Sequence, residues 1–288
     1  MKIKIMTAIY SDLNGSELGG REGRKDHYRF SLLSLLKMNN ADFVCYTSSR
    51  EVDDLKTFFY DINQIPKERL NFVVKELNEC LYSEIINSVK DVEKMKKSDR
   101  CYEIQYSKFS WYNNEDETYD YYFWFDAGLS HCGIIPNKYL NGPGYRIYYE
   151  SNLFNDQFLN NLINFCGDKF AVIAKENDRN YWESTVDPKY YTNYDRSLHV
   201  IGGMFGGKKE NWRKVVDKFD EYVNMILPEQ GRLFFEEHFM SLMFQNHKDW
   251  FNPLYFDVWW HEDNFKNRPE SFFIENKSFY KILEELNG

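Results

Sequence analysis

Five stretches of the chain combine residue types that could do chemistry. The first is residues 11–29 (SDLNGSELGGREGRKDHYR), which put Gly15, Gly19, Gly20 and Gly23 beside Arg21, Arg24, Lys25, His27 and Arg29. Glycines after a strand let the backbone approach a ligand, and the helix that follows favours an anion at its N-terminus. The stretch is neither a GK[ST] phosphate loop nor a GxGxxG fingerprint. The second is residues 124–131 (WFDAGLSH), where Asp126 arrives at the end of an aromatic strand. A carboxylate there is costly to desolvate without a cation or a donor, and Mn²⁺ or Mg²⁺ suits carboxylate oxygen. His131, five residues on, offers a second ligand or a phosphate donor. The third is residues 202–207 (GGMFGG), where glycines suit close approach to a sugar or a phosphate. The fourth is residues 234–239 (FFEEHF). On a helical wheel Glu236 lies at the edge of the apolar face, beside Met240 and Met243, and suits a base or a hydrogen-bond partner for a hydroxyl; Glu237 points away. The fifth is residues 256–263 (FDVWWHED), where His261 could close a metal or diphosphate site and Trp259 or Trp260 could stack on a sugar or a base. Each has a plainer reading: a charged loop, a turn aspartate, a bulge, a solvated helix face, a core aromatic strand. It is their order and combination that point to a site.

The elements that must position these residues follow from hydrophobic periodicity. Residues 2–10 (KIKIMTAIY) read as a buried strand, and Tyr28, Leu32, Leu35 and Leu36 as one helix face. Asp42–Thr47 and Leu70–Val74 are further strands, with a helix on Leu81, Ile85, Val89 and Val92. Residues 121–126 (YYFWFD), 170–174 (FAVIA) and 198–204 (LHVIGGM) are strands too. The spacing predicts a long helix from Trp212 to Leu227 stopped by Pro228, a second over 232–245, an aromatic segment over 250–260 and a last helix over 279–286. Strands alternating with helices in the first half indicate a parallel α/β sheet, with a more mixed second half.

The composition limits the function classes. The 288 residues carry 36 Lys+Arg and 45 Asp+Glu, a net charge of −9, which argues against a general nucleic-acid coat. At 43% hydrophobic and 18% aromatic the chain can build a core. No stretch has the length of a membrane span and no secretory signal is visible. The five cysteines are odd in number and lack CxxC spacing, so reduced thiols in a cytoplasmic protein are expected rather than a disulfide scaffold or a zinc ribbon.

TAIYSDL (residues 7–13), WFDAGLSH followed by Ile134-Ile135-Pro136, GGMFGG and the acid pair of FFEEHFMSL together resemble the bacterial HtrL/YibB-like proteins, from about residue 3 to 262. That group looks like glycosyltransferases of the GT-A fold. The resemblance implies a GT-A-like, Rossmann-related mixed sheet flanked by helices. It implies a single domain over residues 1–288, with a nucleotide-binding half to about 130 and an acceptor half beyond. It implies a nucleotide-sugar donor, a UDP-sugar first, a glycan or lipopolysaccharide-type acceptor, and Mn²⁺ or Mg²⁺. GT-A enzymes usually carry a D-x-D motif; here Asp126-Ala127-Gly128 lacks the second acid. Either His131 or His261 substitutes, or one acid holds the metal together with phosphates. By the same resemblance Ala8, Tyr10, Arg24, Lys25 and Arg29 would hold the nucleotide, and Lys108 would touch a phosphate. Gly202 and Gly203 would line the sugar, Asp126 would hold metal and diphosphate, and Glu236 or Glu237 would face the acceptor hydroxyl. Two other readings stand beside this one. A phage-type enzyme would glycosylate hydroxymethylated bases in DNA, using residues 21–29 and 90–100 on phosphates. A non-catalytic protein would bind carbohydrate through the 7 Trp and 22 Tyr.

Overall fold

A computed structural model describes residues 1–11, 24–92, 102–115, 118–129, 154–175, 187–188 and 200–256; among these, the side chains of 24–27, 90–92, 114, 175 and 256 are not described. The frame is a seven-stranded sheet in the order β3-β2-β1-β4-β6-β5-β7. Its strands are β1 Ile3–Ile9, β2 Asp42–Thr47, β3 Leu70–Val74, β4 Tyr121–Phe125, β5 Phe170–Lys175, β6 Val200–Lys208 and β7 Phe251–Phe256. Every neighbouring pair is parallel except those made by β6, which runs antiparallel to both β4 and β5. This is the expected mixed α/β sheet, with the antiparallel strand in the expected second half.

Alternation along the strands builds two cores. Met6, Tyr10, Tyr122 and Trp124 face one side; Ile3, Ile5, Ile9, Phe123 and Phe125 face the other. The second side is covered by α1 (Arg24–Leu35) and α5 (Asp156–Cys166), which contribute Leu32, Leu35, Phe158 and Leu162. The short helix α2 (Val52–Lys56) adds Leu55 there. The first side is covered by α3 (Ser83–Val92), α4 (Tyr102–Ser110), α6 (Lys209–Gln230) and α7 (Glu236–Asn246). Its rings stack closely: Phe109 lies 4.0 Å from Phe219, and Trp111 lies 4.5 Å from Tyr46.

Three expectations change. The long helix does not stop at Pro228; it continues to Gln230 with Pro228 in its last turn. Gly231 ends it, in a left-handed conformation (φ 60°) with its N–H on the Leu227 carbonyl at 3.0 Å. The next helix starts at Glu236 rather than 232, because Phe235 is extended and donates its N–H to His238 Nδ1 (3.2 Å). Helices α2, α4 and α5 join the list of elements. The helix expected at 279–286 lies outside the described residues.

Candidate functional site

The chain visits β1, β2 and β3 in one direction, then returns to place β4 on the other side of β1. In an open α/β sheet that reversal opens a crevice at the carboxyl ends of the two central strands. Asp126 directly follows β4 at this end, and the β1–β4 register (Met6↔Trp124), carried two residues further, brings Ala8 alongside it.

The start of β6 borders the same crevice. Its pairing with β5 jumps from Val172↔Phe205 to Ile173↔Ile201, so residues 202–204 bulge away from β5. Backbone groups released there are taken up by other partners. The Gly202 N–H donates to Glu237 Oε1 (3.1 Å), and the Gly202 carbonyl accepts from Lys108 Nζ (3.0 Å). The Gly203 carbonyl accepts from the Asp126 N–H (2.8 Å), and the Val200 N–H donates to Ser241 Oγ (3.0 Å). Glu236 and Glu237 open α7, where the helix dipole favours carboxylates. Glu237 therefore does not point away, as the wheel suggested; it holds the strand.

Lys108 stands at the centre. It arrives on α4, whose Tyr106 donates its hydroxyl to the Phe234 carbonyl (2.5 Å) and so ties α4 to the segment ahead of α7. The ammonium lies 2.7 Å from Glu236 Oε1 and 3.1 Å from Asp126 Oδ1. With the Gly202 carbonyl these make three acceptors for its three N–H donors. Trp124 Nε1 adds a second donor to Asp126 Oδ1 at 2.6 Å, and the ammonium lies 5.6 Å from the Trp124 ring centroid. Lys108 and Glu236 side chains are 6% and 3% exposed; the Asp126 side chain is 36% exposed. Burial alone would pull the Lys108 pKa down, but the Asp126 and Glu236 carboxylates outweigh it and hold the ammonium above its ordinary range. Burial pushes the Asp126 carboxyl up, opposed in part by the Lys108 charge and the Trp124 hydrogen bond. Glu236 Oε2 is buried with no hydrogen-bond partner among the described residues.

The structure thus brings together Asp126, Lys108, Glu236, Glu237, Gly202 and Gly203. Gly202 leaves room for side chains of the protein itself. A Cβ there would sit 2.4 Å from Glu236 Oε1 and 3.3 Å from Lys108 Nζ, so the space belongs to the protein's own ion cluster. Gly206 and Gly207 sit deeper in the sheet. Their Cβ positions lie 2.3 Å from the Tyr122 carbonyl oxygen and 2.8 Å from that of Lys169, which is strand packing and not ligand lining. Tyr10 is buried, with its hydroxyl on the Lys75 carbonyl at 2.9 Å and its ring stacked on Trp111. Arg29 is paired with Asp54 and lies over the Phe58 ring at 5.1 Å, on the α1–α2 side of the sheet. Arg24 and Lys25 open α1, but their side chains, like His131 and His261, lie outside what is described.

Lys108's part as the hub was not read from the sequence, nor was the Trp124 indole on Asp126. The signal for the first is a lysine within YEIQYSKFS, where all of residues 105–110 are buried. With no polar face, the segment shows no amphipathic period.

Of the expected metal ligands, His131 and His261 lie outside the described residues and Asp126 alone is described. Among the described residues no group of three or more His, Cys, Asp or Glu side chains is arranged to hold a metal ion. Asp126 Oδ1 and Glu236 Oε1 are both engaged by the ammonium.

No family model matches the chain and no curated protein matches it, so membership of the HtrL/YibB-like group is not shown. Solved structures similar to it include mouse xyloside xylosyltransferase 1 in its apo form (TM-score 0.48, 9% identity, 88% of this chain and 85% of that one). Another is 4-diphosphocytidyl-2C-methyl-D-erythritol synthase from Anaerococcus prevotii (0.44, 10%, 100% and 96%). A third is a CMP:2-keto-3-deoxy-manno-octonic acid synthetase complexed with CTP (0.38, 12%, 90% and 91%). Likenesses at this level assign neither substrate nor chemistry, and the sheet order stands on its own hydrogen bonds. No described helix is long and apolar enough to cross a membrane, and Cys45, Cys80 and Cys166 are free thiols.

Proposed function

We propose that this chain is a nucleotide-sugar-dependent glycosyltransferase acting on a hydroxyl acceptor of glycan or lipopolysaccharide type. One observation carries the reading: Asp126 stands at the carboxyl end of β4, at the sheet's switch point, tied through one buried ammonium to Glu236 on the opposite wall. An acid cluster this constrained is expensive to build for stability alone.

The three acids divide the work. Glu236 Oε1 is committed to Lys108, and Glu237 Oε1 to the Gly202 amide. Asp126, with its side chain 36% exposed, is the carboxylate that meets substrate; its upward-pushed carboxyl suits proton acceptance. In transfer, the acceptor oxygen bonds to the anomeric carbon and the bond from that carbon to the diphosphate breaks. The nucleoside diphosphate leaves with the bonding electrons, and the hydroxyl proton passes to a carboxylate. In an inverting reaction that carboxylate is Asp126; in a retaining one the proton passes instead to the departing diphosphate oxygen on the same face.

The test is a panel of UDP-, GDP- and CMP-sugars, read by calorimetry and by release of nucleoside diphosphate. We expect one donor to bind and to turn over with a sugar-hydroxyl acceptor, and Asp126→Asn to abolish turnover. Glycan affinity without any nucleotide-sugar affinity would replace the enzyme with a binding protein. Retention on double-stranded DNA that fades with salt would move the acceptor to a DNA base.

A further inference from the structure

Resting on that transferase reading, we propose that Lys108 is the resident cation of this site and that donor binding and transfer require no divalent metal at Asp126. The place a metal would take between two carboxylates is filled by the chain's own ammonium. Its three N–H donors meet Glu236 Oε1 at 2.7 Å, the Gly202 carbonyl at 3.0 Å and Asp126 Oδ1 at 3.1 Å. That match leaves no donor over and puts the charge at a fixed point.

Neighbouring residues are shaped around this arrangement. Gly202 leaves the volume that Glu236 and Lys108 occupy, since a Cβ would fall 2.4 Å from one and 3.3 Å from the other. Trp124 donates to the same Asp126 oxygen that Lys108 contacts, so that oxygen already accepts from two donors. Tyr106, one turn from Lys108's neighbours in the aromatic core, locks α4 to Phe234, two residues ahead of Glu236. A side-chain cation that holds the carboxylates in place differs from a metal ion in one respect that can be measured: chelators do not remove it.

The experiment uses the full chain. Mn²⁺ binding is followed by electron paramagnetic resonance, and donor binding by thermal shift, in excess EDTA and in Mn²⁺. We expect the wild type to show the same donor-induced shift in both media, with Kd agreeing within twofold, and Mn²⁺ alone to leave its Tm unchanged. In Lys108→Ala the two carboxylates lose their cation, and Mn²⁺ should then raise Tm; the gain should vanish in Lys108→Ala/Asp126→Asn. The inference is overturned if the wild type binds Mn²⁺ with an affinity that Asp126→Asn weakens tenfold or more, or if donor binding appears in Mn²⁺ alone. Should Lys108→Ala fail to fold, the wild-type and Asp126→Asn measurements still decide. If no nucleotide sugar binds in either medium, the transferase reading falls, while the Mn²⁺ measurements judge the lysine's role separately.

Discussion

At the start of β6 a lysine ion cluster is sealed into the protein; at its finish, Lys208 pairs with Asp168 in open solvent, their side chains 39% and 89% exposed. Glycines flank both ends, yet they serve different ends of the strand. Gly202 makes room for side chains, whereas Gly206 (φ 154°) makes room for the neighbouring backbone of β4. The buried cluster is held by backbone as well as charge: a carbonyl, a bulge and a helix N-terminus all converge on it. The exposed pair has only its own attraction, which water and salt screen. Groups set in a low-dielectric pocket with fixed partners can act on a substrate; groups in solvent keep the molecule soluble.

The largest effect that would test this contrast is Lys108→Met. It leaves Asp126 and Glu236 facing each other without a cation, and breaking a buried pair in this way costs about 3–5 kcal/mol. Urea denaturation would show it as a fall in midpoint at unchanged slope. A loss no larger than a surface substitution would mean that the cluster is hydrated and the contrast false.

The two glycines sharpen it next. Gly206→Ala must fit a Cβ against backbone at a left-handed φ, so it should destabilise by roughly 1–3 kcal/mol while sparing donor affinity. Gly202→Ala pushes on the Glu236 carboxylate, the end of a side chain, so it should cost less stability yet weaken donor binding severely. Calorimetry with the donor and denaturation of both variants would separate the roles. Equal effects on both readouts would merge them.

How far this could be read from the chain depends on the kind of signal. Strands such as IKIMTAI and DFVCYT declare themselves because buried parallel strands are continuous apolar runs. Asp126, Glu236 and the Gly202-Gly203 pair are legible because an acid after an aromatic strand, or glycine pairs in a strand, break the local pattern. Lys108 did not stand out as the hub, since it meets Glu236, 128 residues further on, only through the fold. Helix α5 did carry a signal: Asn155 accepts from the Phe158 N–H at 2.9 Å, and Phe158, Leu159, Leu162, Ile163 and Cys166 keep helical spacing. The Pro228 stop misled because the helix runs two residues past the proline, to Gln230, before Gly231 caps it. Glu237's grip on Gly202 depends on the bulge in β6, a long-range pairing feature that no local window contains.

Titration offers a finer cut. Lys108 has its folded pKa raised by its carboxylate partners, so its stabilising contribution is fully present below about pH 10.5 and is lost as pH climbs through the folded value. The wild type should therefore lose stability on the alkaline side relative to Lys108→Met, the difference between the two curves shrinking above that pH. A difference that stayed constant to the highest pH at which both fold would show that packing of the alkyl chain, not charge, supports the site.

The smallest effect is expected at the other end of β6. Lys208 holds the Asp168 carboxyl below its ordinary range through a hydrogen bond and its charge, so whatever the pair contributes is present at neutral pH. It is lost only as pH falls through that lowered value. Because both groups are in solvent, Asp168→Asn should leave the neutral-pH Tm within experimental repeat, and added salt should erase any residual difference. Donor affinity should be untouched, since this end of the strand is remote from the carboxyl end of β4. If Asp168→Asn matched Lys108→Met in its effect on Tm, burial would not be what distinguishes the two lysines. The argument for a resident cation would then lose its physical ground, because an ion pair that strong in open water would need no sealed pocket to hold it.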